Sequence, residues 1–346
     1  MFKNMIIYRI AEAWQPDWEA LEAALAKQVF EECGATQEQS SGWVPPRGEA
    51  HGAMVEVVSG QWMMRFVTES KMLPASVLAR KLKERVAHIE KAEGRKPGKK
   101  EAQDLKDEIK LDLLPMAFTK QGGMWVWIDP QARLLVLDTG SQSRSDEVVT
   151  ALVEASPGFS VALLDTQTSP QAAMAHWLHS QEAPAGFSID RECELKSADE
   201  AKAVVRYARH PLDIDEIRAH IDAGKMPTKL AITWDDRVSL VLTEGLQLKK
   251  VALLDVVLEG QSQSGDDVGF DADVAIATAE FSRLIPDLLE ALGGEGRTEL
   301  GVPAPAQALI AQAPQAAPLP RPAAGRGTIT GPREAPADAD PASMPF

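Results

Sequence analysis

Apolar positions along this chain follow two different periods, and the switches between them mark out its parts. Met5–Ile10 is a short apolar run that predicts a first strand, and a helix follows near Trp18–Phe30. Gly42–Gly48 (GWVPPRG) predicts a loop, because two prolines in series fit neither a helix interior nor a central strand. Met54–Val58 and Gln61–Thr68 predict two strands joined at Ser59-Gly60.

The spacing then changes to nearly four. Leu78, Leu82, Val86 and Ile89 form one apolar stripe of a helix that Ser76 would cap after Pro74. Gly94–Lys100 (GRKPGKK) breaks that helix, and a second one, Glu101–Leu114, places Leu105, Ile109 and Leu113 on one face before Pro115. The two make a projecting helical hairpin with a basic tip. Met124–Ile128 and Leu134–Asp138 predict strands around an Asp129-Pro130 turn, with a helix at Asp146–Glu154 and a strand at Val161–Leu164. Pro170–Ser180 reads as helix, Phe187–Leu195 and Val204–Tyr207 as extended, and Leu212–Ala223 as a helix with Asp213 and Glu216 at capping-box spacing. Lys229–Trp234, Arg237–Thr243 and Leu248–Leu253 predict an antiparallel meander turning at Asp235-Asp236, and a long helix Ala272–Leu292 stops at Gly293-Gly294.

From Gly301 onward the composition differs. Ten of the 23 prolines fall in these 46 residues with few large apolar groups, which predicts a disordered tail and folded structure ending near Glu295. The fold class is therefore α+β, with mixed antiparallel sheets, helices and the projecting hairpin. The expected parts are a central region from 1–72 with 117–170, the hairpin 73–116, a C-terminal region 171–295, and the tail 296–346. The N-terminus lacks the apolar core and small-residue cleavage site of a signal peptide, and no apolar run approaches the ~18 residues of a membrane span, so a soluble cytoplasmic protein is expected. Cys33 and Cys193 form no CxxC motif and suit a reducing compartment.

Charge changes this picture. The chain carries −15, yet Arg80–Lys100 holds nine Lys/Arg against three acids, a local +6 that leaves −21 on the other 325 residues. Segregated charge of this kind can bind a polyanion while the remaining surface repels it. The plain alternative is a solvated helix face. The candidate phosphate contacts are Lys81, Lys83, Arg85, Lys91, Arg95, Lys96, Lys99 and Lys100.

Catalytic signatures are missing. Gly94–Lys100 has three residues between its glycines where a P-loop has four, a Lys where the hydroxyl belongs, and no preceding strand. His176 and His179 lack a third ligand nearby in sequence. GxSxG and HExxH are absent, so neither an enzyme nor a cofactor is expected.

Several blocks, FKNMIIYRI at the start, GWVPP at Gly42–Pro46, Leu73-Pro74 through Asp104–Ile109, LLPMAF at Leu113–Phe118, MWVWID at Met124–Asp129, AGKMPTKLAITWDDRV at Ala223–Val238 and Phe270–Glu295, together resemble the bacterial recombination-associated RdgC family across residues 2–295. The resemblance implies a ring-shaped homodimer whose positive central hole encircles duplex DNA without sequence preference. It implies a nucleoid-associated protein that limits access of the recombinase RecA. An apolar residue after LLPxA, in this chain Phe118, would make one closing contact, with core packing as the other reading of that ring. Arg209 and His210 match the region meeting this knob, where the family has a Lys-Gln type pair. The tail ends Asp338-Ala-Asp340-Pro-Ala-Ser-Met344-Pro345-Phe346, similar to the partner-binding tip of single-stranded DNA-binding proteins. It could tether replication or repair proteins, or be inert. The rival to DNA encirclement is thus an adaptor acting through this tail, with DNA binding incidental.

Overall fold

A computed structural model of the chain describes residues 2–199, 202–258 and 266–296. Its strands are β1 (Asn4–Ile10), β2 (Gln39–Val44), β3 (Glu56–Val58), β4 (Gln61–Met72), β5 (Phe118–Asp129), β6 (Leu134–Leu137), β7 (Val161–Leu163), β8 (Phe187–Ser197), β9 (Val204–Ala208), β10 (Lys225–Trp234), β11 (Val238–Thr243) and β12 (Leu248–Leu253). The helices are α1 (Trp18–Leu25), α2 (Ala75–Glu93), α3 (Lys99–Leu113), α4 (Gln142–Ala155), α5 (Pro170–Ser180), α6 (Asp215–Asp222), α7 (Asp255–Leu258) and α8 (Asp266–Ala291). Among the described residues, no helix is long and apolar enough to cross a membrane.

All strand pairs are antiparallel, and the main path runs β2-β4-β5-β6-β1-β12-β11-β10-β8-β9. β1 joins the two halves. Its first residues, Asn4 and Met5, pair with β12, while Ile6–Arg9 pair with β6 and Tyr8–Ile10 with β7. Because alternate side chains leave a strand on opposite faces, Met5 and Ile7 enter one core and Ile6, Tyr8 and Ile10 enter another. β4 does the same, with Met63 in the first core and Trp62, Met64 and Phe66 in the second. Strands buried on both faces read as near-continuous apolar runs, which is how Met5–Tyr8 of β1 and Trp62–Val67 of β4, broken only by Arg65, appear in the sequence.

The first core is closed by α5, α6 and α8. Val274, Ala277, Phe281, Leu284 and Leu288 form the apolar stripe of α8. Arg237 on β10–β11 grips Glu280 of this helix with a fork (Nε–Oε2 2.7 Å, Nη2–Oε1 2.5 Å), and that guanidinium holds the Glu280 carboxyl below its usual range. Trp234 Nε1 donates to Asp287 at 2.8 Å. The second core lies under α1 and α4, through Leu21, Leu25, Val148 and Leu152.

Several local expectations are corrected. Gln39–Val44 is strand, and the loop starts only at Pro45; α1 ends at Leu25 instead of Phe30. Both differences have one cause. Val29 bridges Trp43, Trp43 N–H donates to Gln28 O, and Phe30 N–H donates to Trp43 O. Gly42 permits this approach, since a Cβ there would sit 2.5 Å from Phe30 Cα. α2 is preceded by Pro74 at the cap, with Ser76 already inside the helix. Asp213 does not cap α6, whose N-cap is Ile214, although Asp215 and Glu216 occupy the first turn, where the helix dipole favours them. The tail beyond residue 296 lies outside the described residues.

Candidate nucleic-acid interface

The α2–α3 pair grows from the ends of β4 and β5. Glycine sets the turn: Gly94 ends α2 in the left-handed conformation at φ 69°, where a Cβ would be strained, and Gly98 N–H donates to Glu101 Oε2 at 3.3 Å at the start of α3. Few apolar side chains tie the pair to the rest of the chain. α2 buries no residue and α3 buries only Ile109. What the two helices display is charge, with eleven basic and eight acidic side chains over residues 75–113.

All eight candidate cations are exposed, but they are not equivalent. Arg95 forks onto Glu101 (2.7 and 3.0 Å) and also meets Glu93 at 2.8 Å. Arg95 in turn holds the Glu101 carboxyl below the usual carboxylate range. This guanidinium fastens the turn. Lys81 pairs with Glu84 at 3.3 Å and Lys96 with Glu90 at 3.8 Å. Such exposed pairs contribute about 0–1 kcal/mol, so a phosphate can displace them. Lys83, Arg85, Lys91, Lys99 and Lys100 have no acidic partner among the described residues. Lys99 and Lys100 also occupy the first turn of α3, where the helix dipole disfavours a cation by about 0.3–1 kcal/mol. An incoming anion would relieve that cost. Lys81 and Arg85, one turn apart, line a groove of about 500 Å³ with His88, Ile109, Leu113 and Met116, while helical periodicity turns Lys83 away from it.

Phe118 opens β5 and is 80% exposed, so it is not a core ring of the single chain. It faces Met72 across the β4–β5 ladder, and Met116, 73% exposed, precedes it closely. Arg209 and His210 are exposed beyond β9, Arg209 at φ 56° and His210 N–H donating to Arg191 O at 3.1 Å. Six strands separate β5 from β9 in the sheet order, so one chain does not bring Phe118 to this pair through its ladder. Asp338, Asp340, Met344, Pro345 and Phe346 lie outside the described residues.

A second basic surface escaped the sequence reading. On β8, Cys193 and Leu195 enter the first core while Glu192, Glu194 and Lys196 point the other way. No residue of β8–β12 belongs to the second core, so α1 and α4 leave that face uncovered. It carries Lys196, Arg206, Lys229, Lys249 and Lys250 against Asp190, Glu192 and Glu194. These cations are scattered over four strands, β8, β9, β10 and β12, and a scan for charge runs cannot see them. Only the i, i+2 alternation on β8 signals the face.

Glu194 organises part of this surface. Burial pushes its carboxyl up, but Thr228 (2.8 Å), Arg206 (2.6 Å) and Lys229 (3.1 Å) donate to it and together hold it at about 2. A depressed carboxyl stabilises the fold above its unfolded value and loses that contribution as pH falls through the folded value. Glu194→Gln should therefore lower stability at pH 7 by about 1–3 kcal/mol. The gap to the parent should narrow between about pH 5 and 2, read from urea midpoints across that range. A gap independent of pH would show that the carboxylate charge contributes nothing.

Among the described residues, no group of three or more His, Cys, Asp or Glu side chains gathers as a metal site. His179 instead meets Asp222 at 3.1 Å on the surface, and Cys193 is buried with its thiol pushed up to about 12.

The family model described as "Putative exonuclease, RdgC" matches residues 1–295. The "Recombination-associated protein RdgC" of Dechloromonas aromatica is 44% identical over 299 residues, covering 85% of this chain and 98% of that protein. The protein of the same name from Herminiimonas arsenicoxydans is 44% identical over 296 residues (85% and 98%), and that of Bordetella pertussis 39% over 298 residues (86% and 99%).

Proposed function

The chain belongs to the RdgC family, and from this membership we propose that it is a non-enzymatic, recombination-associated protein that binds duplex DNA without sequence preference. Two copies close around the duplex and limit access of RecA. The observation that carries this reading is that five of the eight candidate cations on α2–α3, Lys83, Arg85, Lys91, Lys99 and Lys100, are exposed with no acidic partner among the described residues, in a chain of net charge −15. Lys and Arg neutralise phosphates and release condensed counterions, which gives affinity without base readout. The uncovered face of β8–β12 offers further cations for the same backbone. The exposed cluster of Met72, Met116 and Phe118 suits a self-contact, and the distance in sheet order between Phe118 and Arg209-His210 suits a contact made between two copies.

The test is fluorescence anisotropy with two unrelated duplexes over a salt series, with and without Mg²⁺. Equal affinities are expected, falling steeply as salt rises, by about 10³-fold or more between 50 and 200 mM if six or more phosphates are neutralised. The DNA should stay intact, and Mg²⁺-dependent shortening would favour the exonuclease description instead. No binding to either duplex would turn attention to the second reading, an adaptor of replication or repair proteins. That reading is favoured by residues 300–346, which extend past the span matched to the relatives and end in acids followed by Pro345-Phe346.

A further inference from the structure

The α2–α3 pair buries almost nothing against the rest of the chain, so something else must fix its direction. At its root, Lys71 and Met72 of β4 face Thr119 and Phe118 of β5, and beyond Ser70 the third strand, β2, no longer accompanies them. A two-stranded ribbon by itself is marginal. Residues 31–38 lie across this ribbon. Lys71 Nζ donates to Ala35 O at 2.7 Å and to Leu114 O at 3.0 Å, joining these residues to the turn after α3. Lys71 N–H donates to Glu38 O at 2.8 Å. The Glu38 carboxylate meets Lys110 of α3 at 2.5 Å. The buried Glu69 accepts from Cys33 N–H at 2.5 Å and from Gln121 Nε2 at 3.2 Å, with the Cys33 bond chief among the interactions that hold its carboxyl below the usual range.

We propose that residues 31–38 lock the direction in which α2–α3 and Phe118 leave the sheet, with Lys71 as the positioning residue and Lys110–Glu38 as an outer clasp. The lock is built from two backbone carbonyls on different segments converging on one ammonium. Those are charge-assisted bonds that an exposed ion pair does not equal. Its importance for DNA rests on the function proposed above, but its test does not.

The experiment measures the distance between spin labels at Lys96→Cys and Val153→Cys, in a Cys33→Ser background diluted with unlabelled protein. Cys193 is buried and will not label. The unmodified lock should give one narrow distance. Lys71→Met should broaden it, and Lys71→Arg, which keeps donors for both carbonyls, should keep it narrow. A narrow distribution in Lys71→Met overturns the proposal. Should that variant fail to fold, Glu38→Lys serves. Amide exchange at Lys71, Met72 and Phe118–Lys120 should rise by about tenfold in it and return in Glu38→Lys/Lys110→Glu. Unchanged exchange in Glu38→Lys overturns the proposal equally. Neither readout involves DNA, so failure of duplex binding in the anisotropy series would leave this result standing, and the converse also holds.

Discussion

Changing Lys83, Lys91, Lys99 and Lys100 together to Glu should weaken duplex binding by about a thousandfold at 0.1 M salt. It should also lower the slope of log affinity against log salt by about 3.6, because each neutralised phosphate contributes about 0.9. These four are chosen because they are exposed and have no acidic partner among the described residues. Loss of folding is a poor explanation for such a result. At the first turn of α3, Glu suits the helix dipole better than Lys by about 0.3–1 kcal/mol per site, which offsets the similar cost of reversing Lys91 in the last turn of α2. Arg95→Ala should behave differently. It removes the fork to Glu101 and the contact with Glu93, so it should loosen the turn more than it weakens binding. Anisotropy with a single duplex, together with circular dichroism, separates the two effects. Unchanged affinity in the fourfold variant would move the DNA path to the β8–β12 face, where Lys196 and Lys249 become the next residues to reverse.

Phe118→Asp should leave the stability of the single chain within about 0.5 kcal/mol, since the ring is 80% exposed and packs on little of its own chain. Self-association should suffer far more. A buried aromatic anchor at an interface contributes about 2–4 kcal/mol, which corresponds to a dimer dissociation constant raised about 30- to 1,000-fold, read by sedimentation equilibrium. Replacing the ring by a carboxylate adds the cost of burying a charge beside Met72 and Met116. A variant that dimerises like the parent would show that this apolar cluster does not close the dimer. On the proposal that two copies close around the duplex, retention on closed circular DNA should fall with it, because a ring that opens freely releases even DNA that has no end.

Much of this architecture was legible from periodicity. The meander β10–β11–β12, the hairpin β3–β4 and the two helices α2 and α3 all fall where their spacing and turn residues put them. Asp235 and Asp236 mark their turn correctly: both take positive φ, 48° and 52°, within the three-residue connection Asp235–Arg237 between the paired Trp234 and Val238. What failed was set by tertiary contact. Nothing local says that Gln28–Phe30 will pair through its backbone with Trp43, so periodicity alone carries α1 on to Phe30 and hides β2. The basic run was likewise visible as composition, but which of its cations are spent on Glu84, Glu90, Glu93 and Glu101 depends on side-chain geometry. The uncovered sheet face was less visible still, because Lys196, Lys229 and Lys249 are brought to one face only by strand pairing.

β1 bears on how the chain comes to be folded at all. Its Asn4 and Met5 need Lys249 and Leu248, so neither half of the sheet is joined to the other until almost the whole folded length exists. At about 5–20 residues per second on the ribosome, the N-terminal strand waits roughly 12–50 s for that partner. During this interval Met5 and Ile7 lack β12 and α8, which complete their core, and the open edge of β1 is free to pair wrongly. Long-range strand pairing of this kind is slow even when the whole chain is present. Refolding of the chain should therefore be slow and concentration-sensitive, and fragments ending before β12 should be prone to aggregate, because the earliest strand of the sheet is also the one that joins its two halves.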